Sequence, residues 1–142
     1  MSKLGHAESF RDLIVYKNAR KVAKEIFELT KSFPKEEMYS LTDQVRRSSR
    51  SIGAQIAEAW AKRRYKKHFI SKLTDVDGEQ QETQHWIDTA ADCGYWTTAN
   101  AAALRQQCEE IGRLLGGYGM SVITALTALE SWVPCRHSLH RR

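Results

Sequence analysis

Apolar side chains recur along this chain at three- and four-residue steps and almost nowhere alternate, a spacing that lines one face of a helix rather than of a strand. Phe10, Leu13, Ile14, Val22, Ala23, Ile26, Leu29 and Phe33 trace the first stripe and predict a helix from about Ser9 to Ser32. Ser9 with Asp12 suits its N-terminal cap, and Phe33-Pro34 its end, because proline pushes the residue before it out of helical angles. Residues 35–39 read as a connector with room for one short turn carrying Glu36 and Glu37. Ser40 is the expected cap of a second helix, with Asp43 near the positive end of its dipole. The inward face of that helix reads Val45, Ser48 or Ser49, Ile52, Ile56, Ala59 and Trp60. Beside it Gly53, Ala57 and Ala61 form a ladder of small side chains, the pattern of a packing seam within or between subunits.

A third stripe, Phe69, Ile70, Leu73, Val76, Gln80, Thr83, Ile87 and Ala90, predicts a helix from Lys66 to Cys93 that stops at Gly94. Its middle is polar where apolar residues are expected. Gln55 on the second helix lies between Ile52 and Ile56, so antiparallel neighbours would let Gln55, Glu58, Gln80 and Glu82 meet as a hydrogen-bonded network that fixes register. Thr97 or Thr98 caps a fourth helix, whose stripe of Leu104, Cys108, Ile111, Leu115, Tyr118, Val122, Leu126 and Leu129 continues to about Trp132. Gly112, Gly116, Gly117 and Gly119 interrupt it, and Gly112 with Gly116 is expected to face the Gly53-Ala57-Ala61 row. The expected architecture is all-α: an up-and-down four-helix bundle over residues 1–133 as one domain, followed by a short basic tail, 134–142.

Composition agrees. At 142 residues with 42% hydrophobic content and two prolines, the chain can bury a core without disulfides or metals. It has no apolar run of membrane-spanning length and no apolar core near its start, so neither a membrane nor secretion is expected, and the cytoplasm is. Cys93, Cys108 and Cys135 are odd in number and widely spaced, which fits neither a disulfide framework nor a zinc pattern.

Charge changes the reading more. Residues 1–67 hold sixteen Lys and Arg against eight Asp and Glu; residues 68–133 hold three against nine; the tail adds three Arg. The net charge of +5 therefore conceals a basic first half and an acidic second half, which implies either a basic face for phosphate or complementary faces that pair between subunits. The first helix carries a basic stripe of Arg11, Lys17, Arg20, Lys21, Lys24 and Lys31, and Arg46, Arg47 and Arg50 lie early on the second. Lys62, Arg63, Arg64, Lys66 and Lys67 crowd five cations into six residues around Tyr65. Such a cluster complements a helix C-terminus, but five exceed what capping requires, and an aromatic among cations also suits single-stranded nucleic acid.

No chemistry of catalysis stands out. Glu82 and His85 have the i, i+3 spacing of carboxylate-bridged di-metal bundles, and Glu58 could join them, but such sites use the motif twice and it occurs once here. A nucleophile elbow and a phosphate loop are also missing. The expectation is a non-enzyme with no cofactor and no metal.

Phe10-Arg-Asp-Leu13, Val15-Tyr16-Lys17 with Ala19, Leu29-Thr30, Phe33-Pro34, and Gln44-Val-Arg-Arg47 leading into Ser51-Ile-Gly-Ala-Gln-Ile-Ala-Glu58 resemble, in order and spacing, the bacterial four-helix-bundle family of 23S ribosomal RNA intervening sequences. The resemblance runs from about Phe10 to Ile123. It departs from the family pattern at Gln55, where asparagine is usual, at Ala59, where glycine is, and at Glu79, where serine is. It implies a homopentameric ring and suspected nucleic-acid binding, to RNA, DNA or both, with no known catalysis. The similar accessory proteins of diversity-generating retroelements add a reverse transcriptase as an alternative partner. On this reading Arg46, Arg47, Arg50, Lys62, Arg63, Arg64, Lys66 and Lys67, with Lys17, Lys21 and Lys24, neutralise phosphates, and the contrasting expectation is a scaffold whose basic and acidic segments meet across subunits.

Overall fold

The computed structural model describes residues 7–116 and folds them into four helices: α1 (Ile14–Thr30), α2 (Leu41–Ala61), α3 (Lys66–Asp92) and α4 (Thr98–Leu114). There is no strand among the described residues. α1 packs on α2 and α4, and α3 packs on α2 and α4, so the four close into a ring of neighbours. The pairing is antiparallel throughout. Arg46 at the start of α2 meets Thr30 at the end of α1, Lys72 early in α3 meets Glu58 late in α2, and Arg105 early in α4 meets Asp88 late in α3. This is the expected up-and-down bundle.

The cores of α2, α3 and α4 come from the predicted stripes: Val45, Ile52, Ile56 and Ala59 of α2, Phe69, Leu73, Val76, Ile87 and Ala90 of α3, and Leu104, Cys108 and Ile111 of α4 are all buried. On α1 Val22 and Ile26 are buried as expected, but Val15 and Ala19, outside the predicted stripe, join them, while Phe10, Ile14, Ala23 and Leu29 are only half-buried. Each large member contributes about 1.5–3 kcal/mol by leaving water. Burial also pushes the Cys108 thiol up to about 12, so it behaves as a small hydrophobe rather than a nucleophile.

Three ends differ from expectation. Ser9 and Asp12 do form a reciprocal cap, but of a 3₁₀ turn, Phe10–Asp12. Leu13 then adopts an extended conformation to bury its side chain completely, and the helix begins only at Ile14. Ser40 is the N-cap residue of α2, yet its hydroxyl does not cap: it donates to Glu37 Oε1 at 2.6 Å, and that same oxygen accepts the Leu41 N–H. Glu37 stands on the one short turn expected in this connector, Lys35–Glu37, and also accepts from Tyr95 Oη at 2.8 Å. The donors from Ser40, Tyr95 and Leu41 hold the Glu37 carboxyl below its usual range, while the Glu37 carboxylate pushes the Tyr95 phenol up to about 12. α4 stops at Leu114 rather than running on, because Gly116 takes φ +85°, in the left-handed region. Gly94 ends α3 the same way, as expected, at φ +76°. Tyr118, Val122, Leu126, Leu129, Trp132 and the basic tail lie outside the described residues.

Thr97 caps α4 by accepting the Asn100 N–H at 3.0 Å. Beside it sits an unanticipated closure of the bundle end. Trp96 is buried, donates from its indole to the Leu29 carbonyl at 3.2 Å, and packs its ring 5.0 Å from that of Phe33. One aromatic cluster thus ties the α1–α2 connection to the α3–α4 connection.

The glycines of α2 and α4 do not face each other. Gly112 faces α3, where an added methyl would lie 2.9 Å from Gln80 Nε2 and 3.4 Å from Asp77 Oδ1. Gln80 cannot swing away freely, because it donates to the buried Asp77 carboxylate and accepts from Gln84. Gly53 faces α1, where a methyl would make only ordinary contacts, 3.6 Å to Tyr16 Cε1 and 3.9 Å to Ala19 Cβ. The two alanine substitutions should therefore differ in sign. Gly53→Ala gains most of the ~1 kcal/mol of helix propensity. Gly112→Ala gains the same but disturbs a buried hydrogen bond to a carboxylate worth ~1.5–3 kcal/mol, for a net loss of about 1 kcal/mol. Thermal unfolding of the two variants checks this, with a raised midpoint for the first and a lowered midpoint for the second.

Candidate nucleic-acid interface

The polar residues at the centre of the bundle form separate contacts, not one network. On the α2–α3 seam, Lys72 Nζ donates to Gln55 Oε1 at 2.8 Å, pairs with Glu58 at 2.8 Å and approaches Asp75 at 3.5 Å. The Lys72 ammonium, through hydrogen bonding and charge, holds the Glu58 carboxyl below its ordinary range. Further along the same seam Thr83 Oγ1 and Ser48 Oγ share a buried hydrogen bond at 3.0 Å. Gln80 turns instead toward Asp77 and Gln84 beside α4, and Glu82 accepts the Trp86 indole N–H at 3.0 Å on the surface. Gln55 and Glu58 thus meet through Lys72, while Gln80 and Glu82 go elsewhere. A network expected from side-chain type alone omits the lysine that assembles half of it.

The same geometry separates the three residues considered for metal. Glu58 is held by Lys72, whereas Glu82 and His85 lie ten and thirteen residues further along α3, roughly 15–20 Å by helical rise. His85 rests its ring 4.7 Å from that of Trp86. Among the described residues no group of three His, Cys, Asp or Glu is placed to hold a metal ion, and no helix is long and apolar enough to cross a membrane.

The cations divide by helix. All three Lys and Arg among residues 68–116 are paired: Lys72 as above, Arg105 with Asp88 at 3.0 Å, and Arg113 with Glu110. Among residues 7–67 only Lys31, with Glu28, and Arg47, with Asp43 at 3.7 Å, make ion pairs. Lys17, Lys21, Lys24, Arg64, Lys66 and Lys67 are exposed and make no ion pair among the described residues. Lys66 and Lys67 open α3, whose first turn holds no acidic residue. They therefore face the positive end of a helix dipole, which disfavours each by about 0.3–1 kcal/mol. Capping the helix before them accounts for Lys62, Arg63 and Arg64, which follow Ala61, but not for these two.

Not every predicted site residue is free for a ligand. Arg46 donates from Nε to Thr30 Oγ1 at 2.7 Å and lies 4.7 Å over the Phe27 ring; Arg50 lies 5.5 Å from the same ring. Arg63 donates to the Trp60 carbonyl at 2.8 Å and covers the Trp60 ring at 4.0 Å. Arg46 thus joins α1 to α2, so reversing its charge would disturb the subunit itself and is unsuited to testing assembly. Of the predicted cations, Lys24 and Arg50 line the space between α1 and α2, together with Arg20; Lys17, Lys21 and Arg47 are exposed on α1 and α2, and residues 62–67 follow about 24 Å beyond Arg46 by helical rise.

Between α1 and α2 runs a groove of about 610 Å³. Ala19, Ala23, Gly53 and Ala57 form its small-residue lining, Phe10, Tyr16 and Phe27 supply aromatic rings, and Arg20, Lys24 and Arg50 supply charge. Tyr16 accepts from Arg20 at 3.3 Å and meets Phe10 edge-on at 4.9 Å. Gly53 and Ala57 of the small ladder read from the sequence open onto this groove, whereas Ala61 does not line it. Phe27 and Tyr16 do not stand out in the sequence as site residues because neither interrupts the apolar stripe of α1; the i, i+4 pair Arg46 and Arg50 on the facing helix is the available signal.

Arg46→Ala should destabilise the bundle by about 1–2 kcal/mol, since it removes both a charged hydrogen bond and a cation–aromatic interaction. Arg47→Ala, whose exposed partner lies at 3.7 Å, should cost less than about 0.5 kcal/mol. Denaturant unfolding of the two variants gives the comparison; equal midpoints would remove the structural role assigned to Arg46.

A search of curated proteins finds no match to the chain. The family model described as 23S rRNA-intervening sequence protein matches residues 11–117, from the first 3₁₀ turn to the end of α4 and well over half of the 142 residues. With the four helices in place and the family's sequence pattern running through all of them, this chain belongs to the 23S rRNA-intervening sequence protein family.

Proposed function

We propose that this protein is a non-enzymatic, oligomeric nucleic-acid-binding protein that neutralises phosphates with the cations of α1, α2, the turn between α2 and α3 and the start of α3. One observation carries the reading: the acidic half pairs every Lys and Arg it contains, whereas the basic half leaves most of its own without a carboxylate among the described residues. The surplus is positive, and Arg20, Lys24 and Arg50 bring part of it together along the groove between α1 and α2. Membership of a family described by ribosomal RNA supports RNA as the first ligand to try.

Contacts to phosphate through flexible lysines carry no base information, so binding tolerates sequence and weakens steeply with salt. Assembly into a ring repeats the basic side in each subunit, and individually weak contacts then add through multivalency. The scaffold reading places the same cations against the acidic α3–α4 side of a neighbouring subunit. Nothing in the fold or the family match favours a reverse transcriptase as partner.

Fluorescence anisotropy against a structured RNA and a duplex DNA, over a salt series, tests the proposal. Reversing Arg64, Lys66 and Lys67 to Glu should weaken binding by more than about tenfold at low salt. It should also flatten the salt slope by roughly 0.7–0.9 for each phosphate no longer neutralised, depending on strandedness. Light scattering on the same variant should show an unchanged oligomer. No binding by the native chain at low salt contradicts the proposal; loss of the oligomer in the variant transfers these cations to the scaffold reading.

A further inference from the structure

α2 carries a glycine that its own fold does not require. Helix interiors disfavour glycine against alanine, and a methyl at Gly53 would fit against Tyr16 and Ala19 at ordinary contact distances. The space it leaves is part of the 610 Å³ groove between α1 and α2, a volume in the range of small-ligand sites. Tyr16 and Phe27 bound this groove about eleven residues apart on α1, roughly 16 Å by helical rise. Arg20, Lys24 and Arg50, all exposed, complete it.

We propose that the groove receives unpaired nucleotides of a single-stranded nucleic acid, with bases lodged against the Tyr16 and Phe27 rings over Gly53, and phosphates on Arg20, Lys24 and Arg50. The inference rests on the nucleic-acid reading above and adds the strandedness of the ligand. Rings alternating with cations are the combination that stacks bases and holds their phosphates. A helix from a second copy would also cover the rings, but Arg20, Lys24 and Arg50 beside them are exposed and have no ion-pair partner among the described residues, which favours a ligand that brings one phosphate with each ring, as a nucleotide does. A duplex keeps its bases stacked inside and reaches only the rim. Arg46, Lys31 and Arg50 already lie 4.7, 4.9 and 5.5 Å from the centre of the Phe27 ring, and the Arg50 guanidinium offers a further flat surface beside an entering base.

The test compares a short labelled oligouridylate with an RNA duplex of equal phosphate number at the same salt. The native protein should prefer the single strand by about tenfold. Gly53→Leu, which fills the groove, and Tyr16→Leu, which keeps bulk but removes the ring, should each bring that ratio close to parity while the far-ultraviolet helix signal persists. Photo-crosslinking of a 4-thiouridine oligomer to the native protein, read by peptide mapping, should mark α1 and α2 within the groove; this arm stands even if a variant fails to fold. A preference retained in both folded variants overturns the proposal, as do crosslinks confined to other elements. A changed oligomer with unchanged single-strand preference in Gly53→Leu also overturns it and makes the groove a contact between copies. Equal binding of both probes by the native chain defeats this inference alone, whereas binding of neither defeats the nucleic-acid reading itself.

Discussion

Lys72 reaches from α3 to Gln55 and Glu58 of α2, with Asp75 beside it on its own helix. Much of the remaining charge distribution depends on that one cation. It meets a carboxylate that the basic half contributes, and with the buried Ser48–Thr83 hydrogen bond it sets the antiparallel register of α2 on α3. A one-turn slip would separate both pairs. Arg105 repeats the arrangement from α4 to Asp88 of α3, while Arg113 pairs within α4 with Glu110. The acidic half pairs all of its own cations, and its described acids lie on α3 and α4, so the described cations without an ion-pair partner all fall among residues 7–67.

The α1–α2 contact is of another kind. It relies on small side chains and on Arg46 and Arg50 against Phe27, not on carboxylate pairing. Small residues here do not bring the helices together until the space is filled; they leave a groove. On the far side of the molecule Gly112 has the opposite role, since the Asp77–Gln80 hydrogen bond occupies the volume a side chain would need. Two glycines with the same sequence context of a helix interior therefore carry different meanings, one for packing and one for open space.

Much of the fold was legible in the sequence because burial repeats with helical period: the stripes on α2, α3 and the described part of α4, the Gly94 stop and the Thr97 cap need only local rules, whereas on α1 the buried face turned out to include Val15 and Ala19. What the stripes could not reveal was who meets whom. Trp96 and Glu37 lie in connectors, outside any periodic pattern, and gain their partners only when two bundle-end connections come together. Lys72 was readable in principle, as the single cation in the acidic run between His68 and Leu104, but its partners depend on register. At the candidate site, sequence supplied the cations and not their state. It could not distinguish Arg46, held by Thr30 and Phe27, from Lys66 and Lys67, which have no ion-pair partner among the described residues.

That distinction is the centre of the account, and lysine-acetylation footprinting tests it most directly. With a bound RNA, Lys17, Lys21, Lys24, Lys62, Lys66 and Lys67 should become protected, while Lys72, already paired across the α2–α3 seam, should react equally with and without ligand. Protection centred on Lys72, or no protection on α1 and the 62–67 turn under conditions where RNA is bound, would contradict it.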